Sequence, residues 1–189
     1  MLLKQMKPEE FDAVYDLMKK SFPVDEYRPY EKQKELLSLP AFQIYVAKEE
    51  DSEDIKGFAA VWDFDWLVYI EHLAVNPAER NNGLGAKILK SIKEQSSVMV
   101  CLDVEKPDNE MARRRIGFYE RNGFCFNDRL YLQPALAENQ QPVPLYPMTA
   151  ERTVTEDELE AIIAQLRKEV RSEERRVGKE CRSTLRCFS

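Results

Sequence analysis

Histidine is almost missing from this chain: His72 is the single one in 189 residues. The four cysteines, Cys101, Cys125, Cys181 and Cys187, include no CxxC pair. A zinc site would lack ligands, and no metal is expected. No apolar run approaches the ~20 residues that span a bilayer. Met1 to Lys7 offers only Leu2-Leu3 as an apolar pair, too little for the core of a secretory signal. The expectation is a cytoplasmic protein that does not engage membranes. Cys101 and Cys125 sit in apolar stretches and read as buried thiols of a reducing compartment.

What is present reads as globular, with 43% hydrophobic and 33% charged residues. The length suits one domain with a hydrophobic core. Residues 171–189 do not match the rest. The run Arg171-Ser172-Glu173-Glu174-Arg175-Arg176-Val177-Gly178-Lys179-Glu180-Cys181 lacks helical or strand periodicity. It also resembles the in-frame translation of a common sequencing-adapter oligonucleotide. Residues 171–189 are therefore expected to be a non-native or disordered tail, outside the fold. Setting them aside leaves 22 of the 28 basic and 31 of the 34 acidic residues, a net charge of −9. So acidic a body argues against nucleic acid as a partner and suits a cationic one such as an amine.

Periodicity supplies the elements. Phe11, Val14, Tyr15, Met18 and Phe22 form one face of a helix over 9–22, with Pro8 in its first turn. A shorter helix is expected over 30–39, between Pro29 and Pro40. Phe42 to Ala47 and Lys56 to Trp62 flank an acidic turn as a hairpin. Trp66 to Val75 is the next strand. Leu84, Ile88, Leu89 and Ile92 mark a helix face. Val98 to Val104 is a strand, 109–122 a helix, Phe124 to Leu132 a strand, and Pro144 to Met148 a shorter one. Thr155 and Glu158 form a capping box for a final helix, with Leu159, Ile162, Ile163, Leu166 and Val170 as its stripe. The order β-α-α-β-β-β-α-β-α-β-β-α gives an α/β class, with a mixed sheet covered by helices. The polar segment between Pro134 and Pro144 reads as a loop.

The feature richest in chemistry is Arg80-Asn81-Asn82-Gly83-Leu84-Gly85, lying between a strand and a helix. A helix N-terminus exposes unpaired N–H groups and the positive end of its dipole. Glycine lets a phosphate approach the backbone. The loop is not a Walker loop, since no Gly-Lys-Ser/Thr follows, and it lacks the third glycine of a dinucleotide fingerprint. By itself it is a weak signal, since Asn82-Gly83 also reads as a plain tight turn.

Its surroundings carry more. The segment Ile70-Glu71-His72-Leu73-Ala74-Val75-Asn76-Pro77-x-x-Arg80-x-x-Gly83-x-Gly85 resembles the cofactor motif of the GNAT acetyltransferase superfamily. Gly117-Phe118-Tyr119-Glu120-Arg121-Asn122-Gly123-Phe124 resembles that superfamily's second signature. The resemblance spans residues 1–150, with 151–170 as a helix packed on or extending that domain. It implies a central, mostly antiparallel sheet with a splayed strand pair and helices on both faces. It also implies acetyl-CoA as co-substrate. The pantetheine arm would lie along Leu73, Ala74 and Val75, whose amides could polarise the thioester carbonyl. The pyrophosphate would lie on Arg80, Asn81, Asn82, Gly83, Leu84, Gly85 and Ala86.

Tyr119 matches the family's general acid, protonating a thiolate whose thiol has a pKa near ~8.5. Read by period alone, it is a core tyrosine on the face of Ala112 and Ile116. For the base, Glu71 is the candidate, because Tyr69, Glu71 and Leu73 alternate onto one strand face. A carboxylate in an apolar strand should be desolvated and its pKa raised. Equally, Glu71 reads as one half of a structural salt bridge. Asp103 and Glu105, alternating on the next strand, are rivals. His72 falls on the face opposite Glu71 and reads as a core histidine. The family's usual Asn before the Tyr falls here on Ala112, with Asn109 one turn earlier, so no Asn is assigned to that contact. Of Arg113, Arg114 and Arg115, one can face phosphate; Arg121 is placed near the adenine end by family position. Asp25, Glu26, Tyr27 and Arg28 fall in the linker that would border the acceptor, with Tyr131 and Tyr146 as weaker contributors.

The expected activity is direct N-acetyl transfer from acetyl-CoA to a primary amine, either a small molecule or a peptide. A homodimer is compatible with this reading. The alternatives are a non-catalytic acyl-CoA sensor and a CoA-free α/β domain.

Overall fold

The computed structural model describes residues 2–49 and 52–171. Residues 172–189, most of the expected tail, lie outside the described residues. The chain runs β1 (Leu2–Gln5), α1 (Phe11–Ser21), α2 (Tyr30–Glu35), β2 (Phe42–Lys48), β3 (Gly57–Phe64) and β4 (Leu67–Val75). It continues α3 (Leu84–Gln95), β5 (Met99–Glu105), α4 (Glu110–Arg121), β6 (Phe124–Phe126), β7 (Tyr131–Gln133), β8 (Val143–Ala150) and α5 (Glu156–Gln165). The strands form one sheet in the order β1-β2-β3-β4-β5-β8-β6, with β7 also on β8. Every pairing is antiparallel except β4 with β5.

Two apolar layers flank the sheet. On one face, Phe11, Val14 and Met18 of α1 and Leu159, Ile162 and Ile163 of α5 pack on Ile44, Phe58, Trp62 and Tyr69. On the other, Leu84, Ile88, Leu89 and Ile92 of α3 and Ile116 and Tyr119 of α4 pack on Val61, Val68, Leu102 and Met148. The stripes read at helical spacing are thus the ones buried, since a surface helix gains stability by covering the sheet. The capping box at Thr155 and Glu158 forms. Cys101 is a buried free thiol, and Cys125 is half-buried.

Three expectations change. The single strand expected over Phe124 to Leu132 is two short strands. Between them Asn127 turns inward, and its side chain donates to Pro147 O and Thr149 Oγ1. The loop between Pro134 and Pro144 is tied down rather than merely solvated. Gln140 is buried, and its Nε2 donates to Val24 O at 2.6 Å and Tyr27 O at 2.7 Å. Arg171, set outside the fold by the sequence, is buried and donates to Asp103, Tyr131 and Tyr69. The two phenols and the carboxylate engage both terminal nitrogens of the guanidinium, while its Nε is buried without a partner among the described residues.

No helix of the described residues is long and apolar enough to cross a membrane.

Candidate active site

The site begins where β4 leaves β5. Their parallel register covers only Leu67–Ile70 against Met99–Leu102. Beyond it, Leu73, Ala74 and Val75 remain paired with β3 on one edge alone. Their other edge faces a cleft of about 450 Å³ between the two strands. Unpaired backbone in the middle of a sheet needs a hydrogen-bonding partner. An extended ligand with amides of its own can supply it, as an added strand would.

The loop after β4 leads to the N-terminus of α3. Asn81 and Gly83 adopt positive φ, 66° and 72°. Gly83 is the N-cap of α3, and no side chain caps the helix. The first amides of α3, from Leu84 through Ala86, therefore point outward without intrahelical acceptors. Gly85 serves packing instead. A Cβ there would stand 3.1 Å from Phe118 Cζ, so its bareness lets α3 approach α4. Arg80 lines the cleft, with Nε 3.4 Å from Val75 O. An exposed helix N-terminus beside an arginine suits a diphosphate. Asn82 is exposed in the same turn.

Tyr119 projects from α4 into this cleft, its ring packed on Phe118 and Phe124 at 5.3 and 6.0 Å. Burial pushes its pKa up to about 12; the nearby Arg115 opposes this and Glu105 adds to it. The phenol is therefore protonated throughout the neutral range. Of the three consecutive arginines, Arg115 faces the cleft and pairs with Glu105. Arg113 turns back to Pro107 O, and Arg114 is exposed. Asn109 caps α4, accepting from Ala112 N at 2.9 Å.

Glu71 departs from expectation. The β3–β4 register slips between Ala60 and Val61, where Ala60 faces His72 and Val61 faces Ile70. Glu71 is the extra residue of a β-bulge. The bulge resets the alternation, so Leu73 joins the α3–α4 side of the sheet rather than sharing a face with Tyr69. It also brings Glu71 and His72 to the same side, the side of α1. There Glu71 accepts from Arg28 Nη1 at 2.7 Å and from Trp62 Nε1 at 2.8 Å. Burial would raise its pKa, but the Arg28 charge and the two hydrogen bonds hold it below the ordinary carboxylate value. The raised pKa expected of a general base is not found. Of the two readings offered by the sequence, the geometry matches the salt bridge.

His72 is buried against the Phe22 ring at 4.8 Å. Burial lowers its pKa, outweighing Glu71 and the Glu26 carbonyl, so the ring is neutral. Its Nε2 lies 2.9 Å from Glu26 O, which only the Nε2–H tautomer can satisfy.

Asp103 and Glu105 share one face of β5 as read, and both line the cleft. Asp103 Oδ2 is held by Tyr69, Tyr131 and Arg171, whereas Oδ1 is buried with no partner among the described residues. Tyr131 thus belongs to this cluster. Tyr146 lies on the opposite face, stacked on Phe126. Among the described residues no group of His, Cys, Asp and Glu could hold a metal.

A family model described as an acetyltransferase (GNAT) domain matches residues 40–125. A solved GNAT-family structure from Bacteroides thetaiotaomicron is similar at 32% identity and a TM-score of 0.83, over 90% of this chain and 98% of that one. YjbC of Bacillus subtilis, classed as an acetyltransferase, is 28% identical over 129 residues, 67% of this chain and 64% of YjbC. The chain thus spans just under two thirds of that relative's length. An aminoglycoside 6′-N-acetyltransferase solved with coenzyme A shares the fold at a TM-score of 0.55 and 16% identity, over 82% of this chain and 100% of that one.

Proposed function

The chain belongs to the GNAT acetyltransferase family, and we propose that it transfers an acetyl group from acetyl-CoA directly to a primary amine. The acceptor is a small molecule or a peptide, and no covalent enzyme intermediate forms. The observation that carries this reading is the splay of β4 from β5 beside the uncapped N-terminus of α3. One end offers unpaired strand backbone to the amides of a pantetheine arm. The other offers helix amides and Arg80 to a diphosphate.

In this reading Leu73, Ala74 and Val75 hold the arm, and a backbone N–H of the same strand polarises the thioester carbonyl. Residues Arg80, Asn81, Asn82, Gly83, Leu84, Gly85 and Ala86 hold the pyrophosphate. Tyr119 acts as the acid. As the C–S bond breaks, its electron pair goes to sulfur, and the phenol gives sulfur a proton. A phenol pushed up to about 12 is a weak acid toward a thiolate. Transfer must therefore be concerted with loss of a proton from the new amide nitrogen, which restores the phenol. Glu71 serves here as the counter-ion of Arg28 rather than as the base.

The test is acetyl-CoA-dependent thiol release across a panel of primary amines and peptides. The proposal expects turnover that needs both substrates. Stabilisation by acetyl-CoA without thiol release on any amine would instead indicate a sensor.

A further inference from the structure

Attack on a thioester requires a neutral amine, so an alkylammonium must first lose a proton inside the cleft. Four carboxylates line the cleft, and three already hold a cation. Glu71 is paired with Arg28, Asp103 with Arg171, and Glu105 with Arg115. Glu26 is the fourth. Among the described residues its carboxylate has neither a hydrogen-bond nor an ion-pair partner.

Glu26 lies in the 3-10 turn Val24–Glu26, between α1 and α2. Four backbone carbonyls in and just after this turn are held by side chains from other parts of the chain. Gln140 Nε2 donates to Val24 O and Tyr27 O. His72 Nε2 donates to Glu26 O, and Tyr15 Oη donates to Arg28 O at 3.1 Å. The Asp25 side chain turns away and accepts from Gln141 N at 3.0 Å. An acidic loop that only conferred solubility would not recruit three buried donors to fix its backbone. Such fixing is what a site needs when one side chain must stay within a fraction of an ångström of its working position.

We infer that Glu26 is the catalytic residue that receives the acceptor's ammonium group and takes its proton. The inference rests on the acetyl-transfer reading above and names the base that this reading leaves open. Glu26 lines the same cleft as Tyr119, so base and acid have a common space in which to meet the reacting carbon. The proton moves from ammonium to the Glu26 carboxylate and on to solvent, because the side chain is only half-buried. The freed lone pair forms the N–C bond, and the C–S pair leaves on sulfur. Tyr119 protonates that sulfur and regains a proton from the amide nitrogen. The sum is one ammonium and one thioester giving one amide, one thiol and one proton.

The charges around Glu26 suit this role. Facing it are Glu105 on β5, Arg115 on α4, Asp25 on its own turn, neutral His72 on β4 and Lys20 at the end of α1. Burial pushes its carboxyl up to about 7; Glu105 and Asp25 add to this and Arg115 opposes it. A base poised there is half ionised near neutrality and strong enough to accept from an ammonium. Because it must be ionised to act, activity rises with pH through that value.

The experiment is the pH dependence of kcat/KM for wild type, Glu26→Gln, Glu71→Gln and Asp103→Asn. The probes are 2-phenylethylamine, spermidine and a short peptide with a free N-terminus. Acetyl-CoA binding to each variant is followed in parallel by thermal shift. The expected result is a drop of about 10²-fold or more in Glu26→Gln, with the rising limb near 7 lost and the acetyl-CoA shift unchanged. Glu26→Asp recovers part of the rate, and Glu71→Gln and Asp103→Asn keep the limb. The inference is overturned if Glu26→Gln keeps the rate and the limb, or if the limb vanishes in Glu71→Gln or Asp103→Asn instead. A wild type that binds acetyl-CoA yet turns over none of the probes also counts against it. A wild type that does not bind acetyl-CoA overturns the acetyl-transfer reading itself.

Discussion

A Tyr119→Phe enzyme is expected to lose about 10²- to 10⁴-fold in kcat, the usual contribution of a positioned acid. Its affinity for acetyl-CoA and its stability should barely move. The ring is what packs on Phe118 and Phe124, and phenylalanine keeps it. The hydroxyl has no hydrogen-bond partner among the described residues, so removing it strands no other group. The effect should fall on kcat and kcat/KM equally, because the proton is needed only as the C–S bond breaks. Steady-state kinetics with a fixed amine checks this. A rate within about threefold of wild type, against the loss expected of an acid, would mean that the thiolate leaves without help from Tyr119.

The second large effect concerns stability. Arg28→Met should destabilise the fold by about 3–5 kcal/mol, the scale for removing one partner of a buried ion pair. Arg28 and Glu71 are both almost wholly enclosed, with side chains 7% and 5% exposed. The loss leaves Glu71 with Trp62 Nε1 alone and frees Val170 O, which accepts from Arg28 Nη2. Adding Glu71→Gln to Arg28→Met should restore much of the loss, because the uncompensated charge is gone. The pH dependence follows from the depressed pKa of Glu71. Its contribution is complete above the ordinary value of 4.5 and is lost as pH falls through the lower folded value. Urea unfolding of both variants and wild type, at neutral pH and as the pH is lowered below the ordinary value of 4.5, measures each part. Equal stability of Arg28→Met and wild type at neutral pH would show that the pair contributes nothing.

These two residues show where the sequence is informative and where it is not. Helical stripes are legible because burial follows the 3.6-residue period. The face of α3 read from Leu84, Ile88, Leu89 and Ile92 is the one that packs on the sheet. The loop Arg80–Gly85 is legible as a turn between strand and helix because its glycines are local features, and its proposed donor role is implied by the resemblance to the GNAT motif. Strand alternation misplaces His72 and Leu73 because it assumes an unbroken ladder, and nothing in the strand itself marks the bulge at Glu71. The Glu71 partner Arg28 lies 43 residues away, and no local pattern joins the two.

Glu26 is visible in the sequence only as one acid in an acidic linker. What distinguishes it is Gln140, 116 residues from Val24, and His72, 46 residues from Glu26. A glutamine in a polar loop gives no sign that it will be buried. In the proposed reading, the donor half of the site is thus implied by the family motif in the sequence, whereas the acceptor half depends on long-range contacts.

In this reading the cleft between β4 and β5 is the donor site, and amide hydrogen exchange with and without saturating acetyl-CoA tests that directly. The expected result is slower exchange at Leu73–Val75 and at the first amides of α3, Leu84, Gly85 and Ala86, with β1 and β2 unchanged. Unaltered exchange at both segments, or protection confined to another part of the chain, would contradict it.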